Sequence, residues 1–294
     1  GTMKNLLLLP LLFLAPRLAA QEPFRAREEA RVSIQTDDGW KLNARYLPAA
    51  EGAPTVLLLH AQKLDLSEWG VWFPQLKRRG YGYLAVDLRG HGSSFVAPDG
   101  STSSYKDFAT GGANNEFNKM IRDVEASLAY LSTEGVSGDR TILVGSVLGA
   151  NLAIKAAAIH QDIAMTAAFS PVLNVNDVLS VNPLRAYGKR PLLLVSGTNR
   201  AKQYKEFQLL NDIAKQSCGR DNVTTIVEAK GFGAGELVSR SGVRKFLNWF
   251  RNPRRPFVVE RSTAPDSAEG TGDEGADGSA PAEETEEEET TAYE

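Results

Sequence analysis

The sequence predicts an α/β fold in which a mostly parallel sheet is sandwiched between helices. Three features carry that expectation: a hairpin near the start, six short apolar runs of strand length, and helical stretches that fall between those runs. Val32 to Thr36 and Trp40 to Tyr46 flank Asp38-Gly39, which reads as a hairpin turn because glycine accepts the positive φ that such turns need. Thr55 to Leu59, Tyr83 to Val86, Thr141 to Val144, Thr166 to Phe169, Leu192 to Val195 and Thr224 to Val227 follow. None alternates clearly between apolar and polar residues, as expected of strands buried on both faces. Helical stretches are expected at Ser67 to Arg79, Glu116 to Leu131, Leu148 to Ile159, Gln203 to Gln216 and Glu236 to Phe250. No further strand and helix cycle follows Phe250, so the body reads as one domain.

The chain has 294 residues, 33 basic and 36 acidic side chains, a formal net charge of −3, 42% hydrophobic residues, one Cys and three His. That apolar fraction excludes wholesale disorder, and the lone Cys218 excludes an internal disulfide framework. His60, His91 and His160 lack metal-ligand spacing, so neither a metal site nor a cofactor is expected. The charge is unevenly spread. Residues 262–294 hold 12 acidic and no basic side chains, while 21–261 hold 31 basic against 24 acidic, a balance of +7. Beyond Arg261 the composition offers too little apolar surface to offset ordering entropy, so 257–294 is expected to be a disordered acidic tail. At the other end, Gly1-Thr2 reads as an expression scar, and Lys4, the apolar run Leu6 to Leu14 and Leu18-Ala19-Ala20 read as a signal peptide. An uncleaved anchor is the competing reading. The expected organisation is scar plus leader over 1–20, an extension over 21–30 and the folded domain over 31–256, exported to a periplasm or secreted.

In an open parallel sheet, sites form at the carboxyl ends of strands. There stand His60-Ala61-Gln62, Asp87-Leu88-Arg89-Gly90-His91-Gly92-Ser93 and Gly145-Ser146-Val147-Leu148-Gly149. This series, in this order and spacing over about 30–250, resembles the α/β-hydrolase superfamily, in particular its small, capless dienelactone-hydrolase-like and esterase-like members. The resemblance implies an eight-stranded sheet without a large cap and a Ser nucleophile on a G-x-S-x-G turn. It further implies a late acid, a late His, and an oxyanion hole formed by the N–H of Leu148 and of Ala61 or Gln62.

This sequence departs from that pattern at all three triad positions. Registering both glycines of the turn puts Val147, which has no nucleophilic atom, where the Ser belongs. The acid is implied after Leu192 to Val195, where Gly197-Thr198-Asn199-Arg200 offers Arg200; a guanidinium cannot accept an imidazole N–H. The His is implied before the last helix, where Gly231-Phe232-Gly233 offers Phe232, and no His follows His160. Ser146 with His91 is the fallback constellation, although in such a turn a neighbour of the nucleophile points away from the pocket. His60 and His91 read more simply as scaffold residues, Asp65, Ser93 and Ser170 as rim or turn residues, and Cys218, without a neighbouring His, as an inert thiol.

Two functional classes follow. The first is a catalytically inactive hydrolase-fold protein that binds a small apolar or acyl ligand, or a protein partner, in a pocket with a vestigial oxyanion hole. The second is an esterase-like serine hydrolase of carboxylic esters or lactones that uses displaced residues. The basic groups Lys77-Arg78-Arg79, Lys189-Arg190, Arg200 with Lys202 and Lys205, and Arg251 with Arg254, Arg255 and Arg261 carry no nucleic-acid motif. They read first as solvated faces, with an anionic partner or the acidic tail as the alternative contact. No membrane span is expected in the mature chain.

Overall fold

The computed structural model describes residues 27–238 and 240–254. The leader at 1–20, most of the extension at 21–30 and nearly all of the acidic stretch at 257–294 lie outside them. Eight strands form one sheet: β1 (Ala30–Gln35), β2 (Lys41–Leu47), β3 (Thr55–Leu59), β4 (Gly82–Val86), β5 (Thr141–Ser146), β6 (Met165–Phe169), β9 (Leu192–Gly197) and β10 (Val223–Glu228). Their order is β1-β2-β4-β3-β5-β6-β9-β10, with β1 and β2 antiparallel and every later pairing from β4 onwards parallel.

β3 shows why the parallel strands lack alternation. All five of its residues are buried, with Leu57 and Leu59 facing one apolar layer and Val56 and Leu58 facing the other. The first layer is built from α3 (Ile121–Thr133), α4 (Leu148–Ile159), α5 (Val181–Ala186) and α6 (Ala201–Cys218). The second comes from α1 (Phe73–Arg78), α7 (Gly233–Leu237) and α8 (Arg240–Arg251). Both faces of the central parallel strands are therefore removed from water, the condition parallel sheets require, while β1, β2 and β10 keep exposed residues.

Three expected helices are broken in two. Ser67 to Arg79 becomes a 3-10 turn at Leu66–Trp69 and α1, because Pro74, which has no N–H to give a preceding turn, sits at the start of α1. Glu116 to Leu131 splits at Met120 into α2 (Glu116–Lys119) and α3. Glu236 to Phe250 splits where Val238 turns extended, at φ −112° and ψ 102°. A small antiparallel hairpin, β7 (Asn174–Val175) and β8 (Val178–Leu179), and the helix α5 were not expected. The hairpin turns through Asn176 and Asp177, both at positive φ, which are residue types that tolerate the left-handed region. It is tied to the rest by Asn115 and Asn118, whose side-chain amides donate to the carbonyls of Asn176 and Asp177.

One buried ionic cluster links the hairpin β1-β2 to α3. The Arg89 guanidinium, wholly buried, donates to Asp38, Glu116 and Asp123 at 2.8 to 3.0 Å, and its backbone N–H donates to Asp123 as well. Such a cluster adds little net stability, since desolvation offsets the attraction, but removing one member typically costs about 3–5 kcal/mol. Among the described residues no helix is long and apolar enough to cross a membrane.

Candidate functional site

The turn from β5 into α4 has the geometry of a nucleophile elbow. Val147 stands at φ 47° and ψ −101°, a left-handed backbone that strains a β-branched residue. A side chain on Gly149 would overlap the backbone of Leu59 and His60, so only glycine lets α4 pass this close to β3. The strained shape is present, and its apex carries an isopropyl group.

Ser146, one residue earlier, is fully buried below the apex. Its Oγ donates to Glu68 Oε1 at 2.6 Å and accepts the N–H of Ala234 at 2.8 Å. No imidazole shares these bonds. Ser146 and His91 are thus not brought together as a hydrogen-bonded pair.

Glu68 occupies the ground in front of the elbow. Its other oxygen, Oε2, accepts the N–H of Ala61 at 2.8 Å, which is the oxyanion donor that the sequence points to. Oε1 also accepts the N–H of Gly235 at 3.1 Å. The first three amides of α7 are therefore each received by a different side chain: Gly233 by Ser170 Oγ at 2.9 Å, Ala234 by Ser146 Oγ and Gly235 by Glu68. These are the amides a helix start leaves unpaired, so the bonds seat α7 directly on the elbow. Gly233, at φ +77°, has no room to spare: a Cβ there would lie 3.0 Å from Ser146 Oγ and 3.5 Å from Val147 Cγ2. Gln62, the alternative donor, instead receives the side-chain amide of Asn176 on its Oε1 at 2.8 Å. Leu148, the other implied donor, is the first residue of α4.

Arg200 and Phe232 come together, as an acid and a His would in an intact triad, but with different chemistry. The Arg200 guanidinium lies over the Phe232 ring at 4.5 Å and approaches Glu236 at 3.8 Å. Asn199 next to it accepts the N–H of Gly231 at 2.8 Å, which fixes the loop that carries Phe232. The pair points to packing and loop anchoring, and neither member offers a group that could take a proton from a hydroxyl.

The two histidines near the strand ends are tied into the scaffold. His60 receives the N–H of Leu88 on Nε2 at 3.0 Å and contacts the Ala61 carbonyl through Nδ1. His91 stacks on Tyr105 at 4.2 Å, lies 5.1 Å from His60 and uses Nδ1 towards the carbonyl of Arg89. Burial pushes the His60 imidazole down to about 4 and the His91 imidazole down to about 3, with the neighbouring His60 adding to the latter. Asp65 caps the 3-10 turn that carries Glu68 by accepting the N–H of Ser67, and Ser93 donates its N–H to the buried Asp87. Ser170, a positive-φ residue, serves α7 as described. Cys218 is buried, its thiol pushed up to about 11 by desolvation. His160, at the far end of α4 from the elbow, pairs with Glu125 at 2.7 Å.

Two cavities, of about 420 and 680 Å³, are lined by other parts of the chain. The first lies among Glu125, Ser132, Val136, His160 and Asp162, the second among Asp38, Trp40, Pro98, Phe108 and Lys119. Neither includes an elbow residue. Among the described residues no three potential ligands converge as a metal site. Sequence reading missed Glu68 because it lies 78 residues from Ser146, on a turn with no motif. The available signal was indirect: with no Ser at the apex, the Ala61 amide needs another acceptor.

The profile of the serine aminopeptidase S33 hydrolases matches residues 54–223. A search of curated proteins finds no match. Among solved structures, an esterase from Pyrococcus furiosus is 19% identical, covering 78% of this chain and 92% of its own, with a TM-score of 0.60. A dienelactone hydrolase from Anabaena variabilis is 14% identical over 79% of this chain and 100% of its own, with a TM-score of 0.57. The Est1E protein of Butyrivibrio proteoclasticus, solved with ferulic acid, is 17% identical over 76% and 98%, with a TM-score of 0.58. At these identities the likeness is one of fold.

Replacing Val147 by Gly should stabilise the protein by about 1 kcal/mol. Relief of roughly 1–3 kcal/mol of backbone strain outweighs the lost contacts of a half-buried side chain and the added entropy of the unfolded chain. A urea midpoint that falls would contradict this. The histidines set a pH dependence whose sign follows from their depressed values. Between pH 6.5 and 4 the unfolded chain binds a proton at His60 that the folded chain refuses, so stability is full above pH 6.5 and is lost as pH falls. The loss from His60 is on the order of 3 kcal/mol, and comparison of urea unfolding at pH 7.5 and 4.5 in the parent and in His60→Gln should show the difference shrink in the variant.

Proposed function

We propose that this chain, which belongs to the serine aminopeptidase S33 family of α/β-hydrolases, has lost hydrolysis and acts as an exported small-molecule-binding or protein-interaction module. The observation that carries the reading is the elbow itself: Val147 holds the nucleophile's backbone conformation without a nucleophilic atom, and Glu68 takes the Ala61 amide that would receive an oxyanion. A carboxylate at that place opposes catalysis in two ways. It fills the donor, and its negative charge repels the charge that develops on the carbonyl oxygen in acyl transfer. The missing members argue the same way. An intact site needs a base beside the nucleophile and an acid behind the base, whereas Arg200 and Phe232 supply a cation and a ring.

Loss of any one triad member in a serine protease leaves a rate only about 10³–10⁴ above that in water, supplied by the oxyanion hole and binding. Here the hole is occupied as well, so even that residue of activity is not expected. The interaction role is supported by what the site has become. The two cavities described share no residue with the elbow, and α7 is hydrogen-bonded onto it through Ala234 and Ser146, so a partner would meet an outer surface. Export rests on the basic and apolar N-terminal run ending in Leu18-Ala19-Ala20.

Three measurements decide these points. A fluorophosphonate probe should leave the purified full chain unlabelled, and short-chain aryl esters should turn over no faster in its presence than in buffer. Labelling or turnover that disappears in Ser146→Ala would instead establish the esterase-like alternative. N-terminal sequencing of the expressed protein should find a chain starting near Gln21 outside the cytoplasm; an intact leader on cytoplasmic protein would remove export from the proposal.

A further inference from the structure

Lys77-Arg78-Arg79 and Arg251 take no part in the elbow, yet the fold gathers the arginines. α1 and α8 pack side by side through aromatic contacts: Trp72 stacks on Phe246 at 6.0 Å, and the Tyr81 ring, two residues beyond Arg79, meets Phe250 edge-on at 6.2 Å. Arg78 and Arg79 close α1, while Arg244 and Arg251 stand seven residues apart, two turns along one exposed side of α8. The result is a surface of four guanidinium groups drawn from two helices.

Arg78 is met by the neutral side-chain oxygen of Gln75 and not by a carboxylate. Among the described residues none of the four forms an ion pair with a carboxylate, in contrast to Arg45, Arg89, Arg122 and Arg200 elsewhere in the chain. Arg79 keeps one terminal nitrogen buried without a hydrogen-bond partner. A buried donor left unpaired asks for an explanation, and an ion that is not part of the chain is one. Partial burial and the charges of Arg78, Arg251 and Arg244 all disfavour the cation of Arg79. The negative dipole end of a helix accounts for Lys77 and Arg78 in the last turn of α1 and for Arg251 in that of α8. It does not account for Arg244, which lies within α8, or for the unpaired nitrogen of Arg79.

We propose that Arg78, Arg79, Arg244 and Arg251 form a binding site for a multiply charged phosphate-class anion, carried by a soluble molecule or by a lipid headgroup. Guanidinium forks match phosphate oxygens in geometry, and a ligand with two or more negative charges relieves the mutual repulsion of all four groups at once. The site is separate from the elbow. α1 leads into the first residue of β4, so its arginines stand at the amino ends of the parallel strands, while the elbow stands at their carboxyl ends.

The full chain should show a saturable rise in melting temperature of several degrees with inorganic pyrophosphate at low salt, beyond that given by chloride of equal ionic strength. Arg244→Gln with Arg251→Gln, both exposed positions, should keep the fold and weaken apparent pyrophosphate affinity at least tenfold; Arg79→Gln should do the same. Co-sedimentation with phosphatidylcholine vesicles containing phosphatidylinositol 4-phosphate, whose headgroup carries more than two negative charges, separates the sources. Vesicle binding that the double variant loses assigns a headgroup, and pyrophosphate binding without vesicle binding assigns a soluble phosphate. Equal responses of parent and variants to pyrophosphate, or a response that follows ionic strength alone, would overturn the site.

Discussion

Everything around the elbow depends on one carboxylate. Glu68 receives the Ser146 hydroxyl and the amides of Ala61 and Gly235, so it joins the end of β3, the end of β5 and the start of α7 through a single side chain. Without it the buried Ser146 hydroxyl and Ala61 amide would be unsatisfied polar groups, at a cost of about 1–3 kcal/mol apiece, while the Gly235 amide is exposed to water. In a working hydrolase such donors await a transient oxyanion. Here the Glu68 side chain meets the Ala61 amide and fixes the start of α7 to the elbow.

The elbow keeps its strained backbone although its apex carries the β-branched Val147. The reason is steric and electrostatic, not chemical. β5 must turn sharply into α4 so that Gly149 can pass against the backbone of Leu59 and His60, and the Val147 N–H is held by the Phe169 carbonyl at 2.9 Å. The surrounding sheet and helix over-determine the turn, so strain of a few kcal/mol at Val147 is carried by the many contacts that place α4 on β5 and β6. A shape usually read as a sign of function is therefore held here by packing alone.

The fold was legible in the sequence because its cause is local. Two-sided burial makes β3, β4, β5, β6 and β9 continuous apolar runs, and the helices between them announce parallel connections. Element ends were less legible where one residue decides them: Pro74 starts α1 late, and Val238 separates α7 from α8. The hairpin β7-β8 is four strand residues long, too short for any periodicity, and is held by side-chain amides from Asn115 and Asn118 that no pattern in its own sequence reveals. At the site, the resemblance to α/β-hydrolases, applied in register to neighbouring glycines and strand ends, singled out Val147, Arg200 and Phe232. Glu68 was invisible because its role arises only when β3, β5 and α7 meet.

The residues that make this sequence resemble a hydrolase are mostly those that hold the scaffold. His60 takes the Leu88 amide, Asp87 takes the amides of Leu66 and Ser93, Arg89 sits among three carboxylates, and Gly149 admits α4. Asp87 also shows why this motif needs glycine, since a side chain on Gly92 would collide with the Asp87 carboxylate. A motif dominated by such residues reports that strands and loops are placed as in the family. It says nothing of the three atoms that carry out acyl transfer, which come from positions the scaffold does not constrain chemically: the apex of a turn, the end of β9 and the loop before α7. Those positions hold Val147, Arg200 and Phe232 while the eight-stranded sheet is kept, so the scaffold motifs report on the fold and not on the chemistry at the strand ends.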